Sequence, residues 1–590
     1  MDGEQAMKAD GKHAEHGGDR VAATLEAHGV RLLFTLCGGH ISPILAGAKA
    51  RGIRVVDTRG EATAVFAADA AGRLSGIPGV AAVTAGPGVT NAVTALKNAQ
   101  MAGVPLVLLG GAAPTLLQGR GALQDIDQRP IAAPNVKFLK RIRLVRDLIP
   151  AVENAFAAAR SGVQGPAFVE CPVDLLYGEA LVRQWYADAA GKGTGIAGRL
   201  LRWYVERHLA SMFGKSTPAR PPQAHKVAAP AVAKSSVSAA AKALSRASRP
   251  VAIVGSQTLA AGNDPARVAA ATAKLGLPVY LSGMARGLLG PSHPLQLRHK
   301  RREALKEADC VILAGVPCDF RLDYGNHVRR SATLIAANRG RKEARLNRAP
   351  DIAAIGDAGA FLEQLAGEAK GSASGWPDWI ASLHARDAAR EAEIAEQAKT
   401  EGEFVNPIAL LKAVDAAAAD NAIFVADGGD FVGTAAYILK ARGPLGWLDP
   451  GPFGTLGVGG GFALGAALCR PGAEVWAIFG DGALGYSIAE FDTFVRHGIP
   501  IIAVVGNDAG WTQIAREQVK VLKDGVGTTL ARSAYHEVAA GFGAEGILVR
   551  SNAEIPEALI RAKAAAKAGK PVLVNAWLDK TAFREGSLSM

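Results

Sequence analysis

Cysteine is scarce and scattered in this chain: Cys37, Cys171, Cys310, Cys318 and Cys469 are the only five in 590 residues. Their number is odd and no CxxC pair occurs, so neither a disulfide framework nor a paired-cysteine zinc site is indicated. A reducing cytosol fits. No run of 18 uncharged apolar residues appears, so no spanning helix is expected. The opening "MDGEQAMKADGKHAEHGGDR" lacks the apolar core of a secretory signal, and a cytoplasmic location is expected. Aromatics make up 6% of the chain, and no basic block interleaved with them stands out. Nucleic acid is therefore the weaker partner class, although a net charge of +12 favours anions such as phosphates, nucleotides or an acidic membrane surface.

What is present is an α/β rhythm. Short apolar runs such as "RLLFTLCGG", "PVAIVGS" and "EVWAIFGDG" alternate with Ala-rich helical stretches, the pattern of doubly wound parallel sheets. The length exceeds what one core can serve. Three such units are expected, at 20–182, 236–368 and 405–590, after a disordered tail at 1–19. A charged helical linker at 369–404 separates the second from the third. Between the first and second lies a basic insertion, 183–235, in which Leu200, Tyr204, Leu209 and Phe213 can share one helical face flanked by arginines. Such a helix can lie on a membrane interface, or dock on its own protein or a neighbouring subunit.

The chemistry starts at "FGDGALGYS", where Asp481 stands between two glycines after an apolar strand. A strand ending in Gly-Asp-Gly turns tightly and aims a carboxylate from the sheet's carboxyl edge, where α/β proteins bind ligands. Asn507 ends the next apolar strand, with 24 residues between it and Gly482. The intervening "SIAEFDTFVRHG" reads as a crossover helix, which makes the two strand ends neighbours. A carboxylate and an amide oxygen side by side form half of a hard-cation site, and Mg²⁺ takes its other ligands from phosphates and water. A dinucleotide GxGxxG reading of "GTLGVGGGFALG" fails, because Phe462 stands where glycine is needed and no strand precedes it.

The GDG–Asn pattern resembles the diphosphate–Mg²⁺ signature of thiamine-diphosphate enzymes, with Gly506-Asn507 in place of the usual two asparagines. The resemblance implies a third metal ligand in the Ala509 carbonyl and diphosphate contacts from Gly482 and Ala483. It makes Glu61, in "DTRGEATAVFAADA", the acid that holds a proton on the cofactor's aminopyrimidine, which needs a dry site. It makes Leu456 the apolar wedge under the bent cofactor, and "DGGDFVG", with Asp427, Gly429 and Asp430, part of the diphosphate side. Thr84 and Asn91 in "TAGPGVTNAV" match cofactor-facing segments, and Gln124 is a candidate for contact near the reacting carbon. His40 in "CGGHISP" is a candidate to protonate an intermediate, and Trp511 and the tail from Phe583 are candidates to close over the site. In this superfamily the first and third units are the pyrimidine- and diphosphate-binding domains, and they act across a subunit interface, which implies a homodimer or homotetramer.

Stretches including "FTLCGGHISPIL", "SGMARGLLGPSHPL", "AGVPCDFRLDYG" and "GNDAGWTQIAREQ" are similar to the acetolactate synthase-like type of 2-hydroxyacyl-CoA lyase, over about Arg20 to Met590. The implied reaction splits a 2-hydroxyacyl-CoA between C1 and C2 into formyl-CoA and an aldehyde one carbon shorter. In reverse it is an acyloin condensation of formyl-CoA with an aldehyde or ketone. The central unit would bind ADP or CoA rather than FAD, with Arg286, Arg321 and Arg339 as candidate phosphate contacts. The runner-up is an FAD-containing acetolactate synthase or another 2-oxoacid decarboxylase. Membrane-anchored relatives carry an N-terminal apolar span that this sequence lacks, which implies a soluble or peripherally attached form.

Overall fold

A computed structural model describes residues 15–191, 195–214, 220–369 and 376–585. The chain forms three six-stranded sheets, and within each sheet all paired strands run parallel. The first contains β1 (Leu32–Thr35), β2 (Arg54–Asp57), β3 (Gly79–Val83), β4 (Leu106–Ala112), β5 (Phe138–Arg141) and β6 (Pro166–Pro172), in the order β2-β1-β3-β4-β6-β5. The second contains β7 (Pro250–Val254), β8 (Val279–Leu281), β9 (Gln296–Leu297), β10 (Cys310–Ala314), β11 (Thr333–Asn338) and β12 (Ile352–Ile355), ordered β12-β11-β10-β7-β8-β9. The third contains β13 (Ile423–Asp427), β14 (Trp447–Leu448), β15 (Val475–Gly480), β16 (Ile502–Asn507), β17 (Glu545–Val549) and β18 (Val572–Trp577), ordered β14-β13-β15-β16-β18-β17. The first and third sheets thus share one strand order, and the second has another. Strands β3, β4, β6, β7 and β10 are buried along their whole length, which explains their unbroken apolar runs: helices cover both faces.

Seven helices build or flank the strand-end clefts: α1 (Gly17–Ala27), α2 (Glu61–Ser75), α3 (Glu179–Ala190), α4 (Ile196–Phe213), α5 (Asp430–Ile438), α6 (Val458–Cys469) and α7 (Glu490–His497). Helix α1 begins inside the stretch expected to be a disordered tail. His16 and Asp19 cap it reciprocally, each side chain accepting the other's backbone N–H at 3.1 and 2.9 Å. Gly17 and Gly18, which read as flexible, are there for close approach: a Cβ would lie 1.9 Å from the Leu175 carbonyl oxygen and 2.3 Å from that of Pro43. The insertion is also helical from its start, since α3 runs across the boundary expected at 183. Helix α4 corrects the expected face. Its buried residues are Val205, Leu209 and Met212, whereas Leu200 and Tyr204 point outward.

Helices α2 and α6 join the first unit to the third. They run side by side in one direction. Gly461 faces Thr63 and Phe66, Gly465 faces Ala67 and Ala70, and Arg470 donates to the Leu74 carbonyl at 2.7 Å. A Cβ on Gly461 would sit 2.6 Å from the Cβ of Phe66 and 2.7 Å from the Thr63 carbonyl oxygen, so only glycine permits this spacing. Buried Arg73 ties the seam further, pairing with Asp69 at 2.6 Å, donating to the Asp449 carbonyl and lying 4.7 Å above the Phe462 ring. Gly461→Val should therefore destabilise the protein by about 1–3 kcal/mol through overpacking. A lowered thermal midpoint in calorimetry, beside no lowering for the exposed helical Gly367→Ala control, checks it.

Candidate active site

The candidate residues gather at the carboxyl ends of the first and third sheets, at the points where the strand order reverses. In the third sheet Gly480 pairs with Gly506, so Asp481 and Asn507 emerge side by side, one residue beyond the ladder. Asp481 is buried. Its carboxylate accepts the N–H groups of Gly482 and Gly510 at 2.8 and 3.1 Å. Burial, reinforced by the nearby Asp508 carboxylate, pushes its pKa up to about 6. Asn507 is fully buried, and its amide nitrogen donates to the Ser533 carbonyl and to Asn575 Oδ1, which leaves the oxygen on the Ala509 N–H side. Ala509 adopts the left-handed region, φ +56°, and its carbonyl accepts the Leu530 N–H with one lone pair still open. Among the described residues no cluster of three or more His, Cys, Asp or Glu could hold a metal. The donors here are instead one carboxylate, one amide and one carbonyl, all hard oxygens. They fit Mg²⁺, and a cation would relieve the repulsion between buried Asp481 and half-buried Asp508.

Around this pair the backbone is kept open by glycine. A Cβ on Gly428 would lie 2.8 Å from the Gly480 nitrogen, and one on Gly482 would lie 2.5 Å from the Trp511 ring. Asp427, at the end of β13, accepts the N–H groups of Gly457 and Gly459 at 3.1 and 2.7 Å and so fixes the left-handed turn after Leu456. Its pKa is pushed up to about 7 by burial. Asp430 opens α5, and its side chain is taken by Arg516 at 2.7 Å. Any anion there would meet its backbone N–H rather than its carboxylate.

The first sheet assembles the second group. His40 Nδ1 is 3.1 Å from Thr84 Oγ1, which lies 3.4 Å from Gln124 Oε1. Gln124 is held at φ +61°, a left-handed conformation for a non-glycine residue at a loop tip. Burial lowers the His40 pKa, so its imidazole is neutral near pH 7. Glu61 opens α2, is buried, and accepts from Asn91 Nδ2 at 3.1 Å. Among the described residues no hydrogen bond runs from this group to Asp481, Asn507 or Leu456. The link is indirect: both oxygens of buried Glu490 accept the Arg59 N–H, two residues before Glu61.

Glu490 was not among the sequence candidates, nor was Gln128, whose amide accepts the Gly86 N–H and donates to the Gly111 carbonyl and Glu170. Asn575 was also missed. Its signal is a polar residue inside the apolar strand "VLVNAW", which needs a partner when buried.

The central unit corrects two candidates. Arg339 is buried in an ion pair with Asp357 at 2.6 Å, and Arg321 is neutralised by Asp319, also at 2.6 Å, so neither presents a free charge to a ligand. Arg286 does line a cavity of about 530 Å³ between the second unit and the third. Arg298, Arg301, Lys440 and Arg584 line it too, against only two acids, Glu303 and Glu585. Arg286 donates to the Ala436 carbonyl at 2.8 Å and lies 5.0 Å from the Trp447 ring centroid, and among the described residues its Nε has no hydrogen-bond partner. Of the expected closing tail, Phe583–Glu585 forms part of this wall, and the rest lies outside the described residues.

Comparison with known proteins agrees with the two strand-end groups. Residues 15–131 match the model of the thiamine pyrophosphate enzyme N-terminal TPP binding domain, 237–365 the central domain, and 427–576 the C-terminal TPP binding domain. The human protein named 2-hydroxyacyl-CoA lyase 2 is 50% identical over 591 residues, covering 99% of this chain and 93% of its own. This chain belongs to the thiamine pyrophosphate enzymes. The Caenorhabditis elegans 2-hydroxyacyl-CoA lyase 2 is 47% identical over 597 residues, with coverage of 99% and 93%. The Mycobacterium tuberculosis acetolactate synthase large subunit IlvG is 36% identical over 567 residues, covering 96% of each chain. With the lyases it resembles over nearly its whole length, this thiamine-diphosphate enzyme is a carbon–carbon lyase.

The raised pKa of Asp481 sets a pH dependence. A carboxyl that holds its proton up to about pH 6 must lose it to bind a cation, so protons compete below that pH and not above it. Mg²⁺ affinity, titrated calorimetrically with thiamine diphosphate present, should be flat from pH 7 to 8. It should weaken by up to about tenfold per unit below 6. Asp481→Asn should bind Mg²⁺ at least about a hundredfold more weakly and lose that slope.

Proposed function

We propose that this enzyme is a Mg²⁺- and thiamine-diphosphate-dependent 2-hydroxyacyl-CoA lyase. It releases formyl-CoA and an aldehyde one carbon shorter, and it runs in reverse as an acyloin condensation of formyl-CoA with an aldehyde or ketone. The cation-lined cavity carries this reading. Helix α5 starts at the diphosphate loop with Asp430 and ends in that cavity with Ala436 and Tyr437, so a long anionic carrier can lie along it. CoA carries three phosphate groups and a flexible arm, whereas pyruvate needs no such cleft. The central unit's nucleotide partner is CoA itself or ADP at the same cations.

Asp481, Asn507 and the Ala509 carbonyl would hold Mg²⁺, with the backbone N–H groups at Gly429, Asp430 and Ala483 contacting the diphosphate, since the Gly482 N–H is held by Asp481 itself. Leu456, fixed by Asp427 through Gly457, would wedge the cofactor. When bound, thiamine diphosphate supplies a thiazolium that stabilises a carbanion, so the C1–C2 bond can break or form. Glu61, oriented by Asn91 in a dry pocket, would keep a proton on the aminopyrimidine ring nitrogen. Neutral His40 can donate or accept a proton, and with Thr84 and Gln124 it would face the substrate's oxygen atoms. Trp511, stacked over Gly482, would exclude water. We place Glu61 of one protomer opposite Asp481 of its partner, which makes a homodimer the minimum assembly and a homotetramer its natural extension. Among the described residues no helix is long and apolar enough to cross a membrane. We assign the enzyme to the cytoplasm.

The deciding assay measures aldehyde and formyl-CoA released from a 2-hydroxyacyl-CoA by purified enzyme with Mg²⁺ and thiamine diphosphate. Turnover of pyruvate together with a flavin absorbance band would favour the acetolactate synthase reading instead. Glu61→Gln should lower kcat by at least about a hundredfold while cofactor binding, read by tryptophan fluorescence, persists. Near-normal turnover would falsify the role given to Glu61.

Arg301 donates to the Arg321 carbonyl at 2.7 Å and faces the cavity. Arg301→Glu should raise KM for the CoA thioester by about tenfold or more, the scale of one charge-assisted hydrogen bond, with a smaller change in kcat. An unchanged KM would remove the cavity from the substrate's path.

A further inference from the structure

Helix α4 lies between two sheets and belongs to neither, and it has two apolar faces. One is docked. Val205, Leu209 and Met212 are buried against the first unit, and His208 Nε2 lies 2.7 Å from Thr115 Oγ1. The other faces out. Ile196, Leu200, Trp203 and Tyr204 are 73%, 61%, 59% and 49% exposed. At about 100° of turn per residue they fall on one arc, opposite Val205. Scattered exposed apolar residues need no explanation, but four on a single arc form a patch.

Charge says what the patch meets. Arg199 and Arg207 border it, and the Arg207 guanidinium lies 5.5 Å from the Trp203 ring centroid. The one acid in α4, Glu206, is taken by Arg183 of α3 at 2.7 Å. An outward face with an apolar centre, a Trp and a Tyr beside it, bordering arginines and no unpaired acid suits an anionic lipid surface. A second copy of the chain suits it less. Two-fold docking would set Arg199 and Arg207 against the same arginines, with no acid of α4 to receive them.

We propose that α4 is a membrane-surface helix: its docked face holds it to the enzyme, and its outer face enters the headgroup layer of an anionic bilayer without crossing it. The test is co-sedimentation of the full-length enzyme, with Mg²⁺ and thiamine diphosphate, on sucrose-loaded vesicles of phosphatidylcholine alone or with about one-third phosphatidylglycerol. The expected result is partition onto the anionic vesicles at least about tenfold above the neutral ones, declining as salt is raised. The double variant Leu200→Glu, Trp203→Glu should lose about tenfold or more of that partition, with thermal midpoint and turnover unchanged. Arg199→Glu with Arg207→Glu should abolish the preference for phosphatidylglycerol and carries the test should the first variant fold poorly. Failure of the wild type to pellet with anionic vesicles, or equal pelleting of the variants, overturns the proposal. A smaller oligomer for either variant in lipid-free sedimentation velocity also overturns it and gives the face to a second copy.

Discussion

Everything at the two strand-end groups depends on how closely α2 and α6 approach. Their N-termini carry, on one side, Glu61 and, on the other, the turn after Leu456. Parallel packing through Gly461 and Gly465 fixes the axial offset between those ends. A side chain at either glycine would push the helices apart and shift both ends together. Arg59 and Glu490 lock the seam at its N-terminal end, and Arg470 and Leu74 lock it at the other. Within one protomer the two strand-end groups are thus spaced by backbone proximity rather than by long side chains, which would give them more play.

The second constraint is desolvated charge. Asp427, Asp481 and Asp508 are carboxylates in low-dielectric surroundings, and each has its pKa raised by burial. For Asp427 two backbone N–H groups offset part of that cost, and the return is a turn that cannot slide. For Asp481 and Asp508 the remaining cost is what a divalent cation would remove. The same logic, with the sign reversed, holds in the cavity beneath α5. Burial there lowers the pKa of Arg286, Arg298 and Arg301. Carbonyl oxygens hold Arg286 and Arg301 without neutralising them, whereas Arg298 is paired with Glu391 at 3.2 Å. Positive potential is left facing the cavity.

Much of this was legible from residue order. Apolar runs closed by glycine located the strands, and the spacing from Gly482 to Asn507 placed these two strand ends next to each other, as the Gly480–Gly506 pairing bears out. Charge pairing was not legible. Arg339 after β11 looks like a ligand contact until Asp357, eighteen residues on, is seen folded against it. Nothing local distinguishes a cation that meets a ligand from one that meets its own chain. Helix α4 failed for a related reason: with apolar residues on two faces, periodicity alone cannot tell which one the protein covers. Glu490 and Gln128 act across 431 and 42 residues of chain, beyond the reach of any short motif.

The shared strand order of the first and third sheets has a further consequence. Two like-built halves offer equivalent reversal points, so one strand-end architecture occurs twice in the chain with different side chains at each. The central sheet, wound differently, stands outside that symmetry. Its cavity can therefore be altered by substitution without disturbing the matched pair of outer sheets.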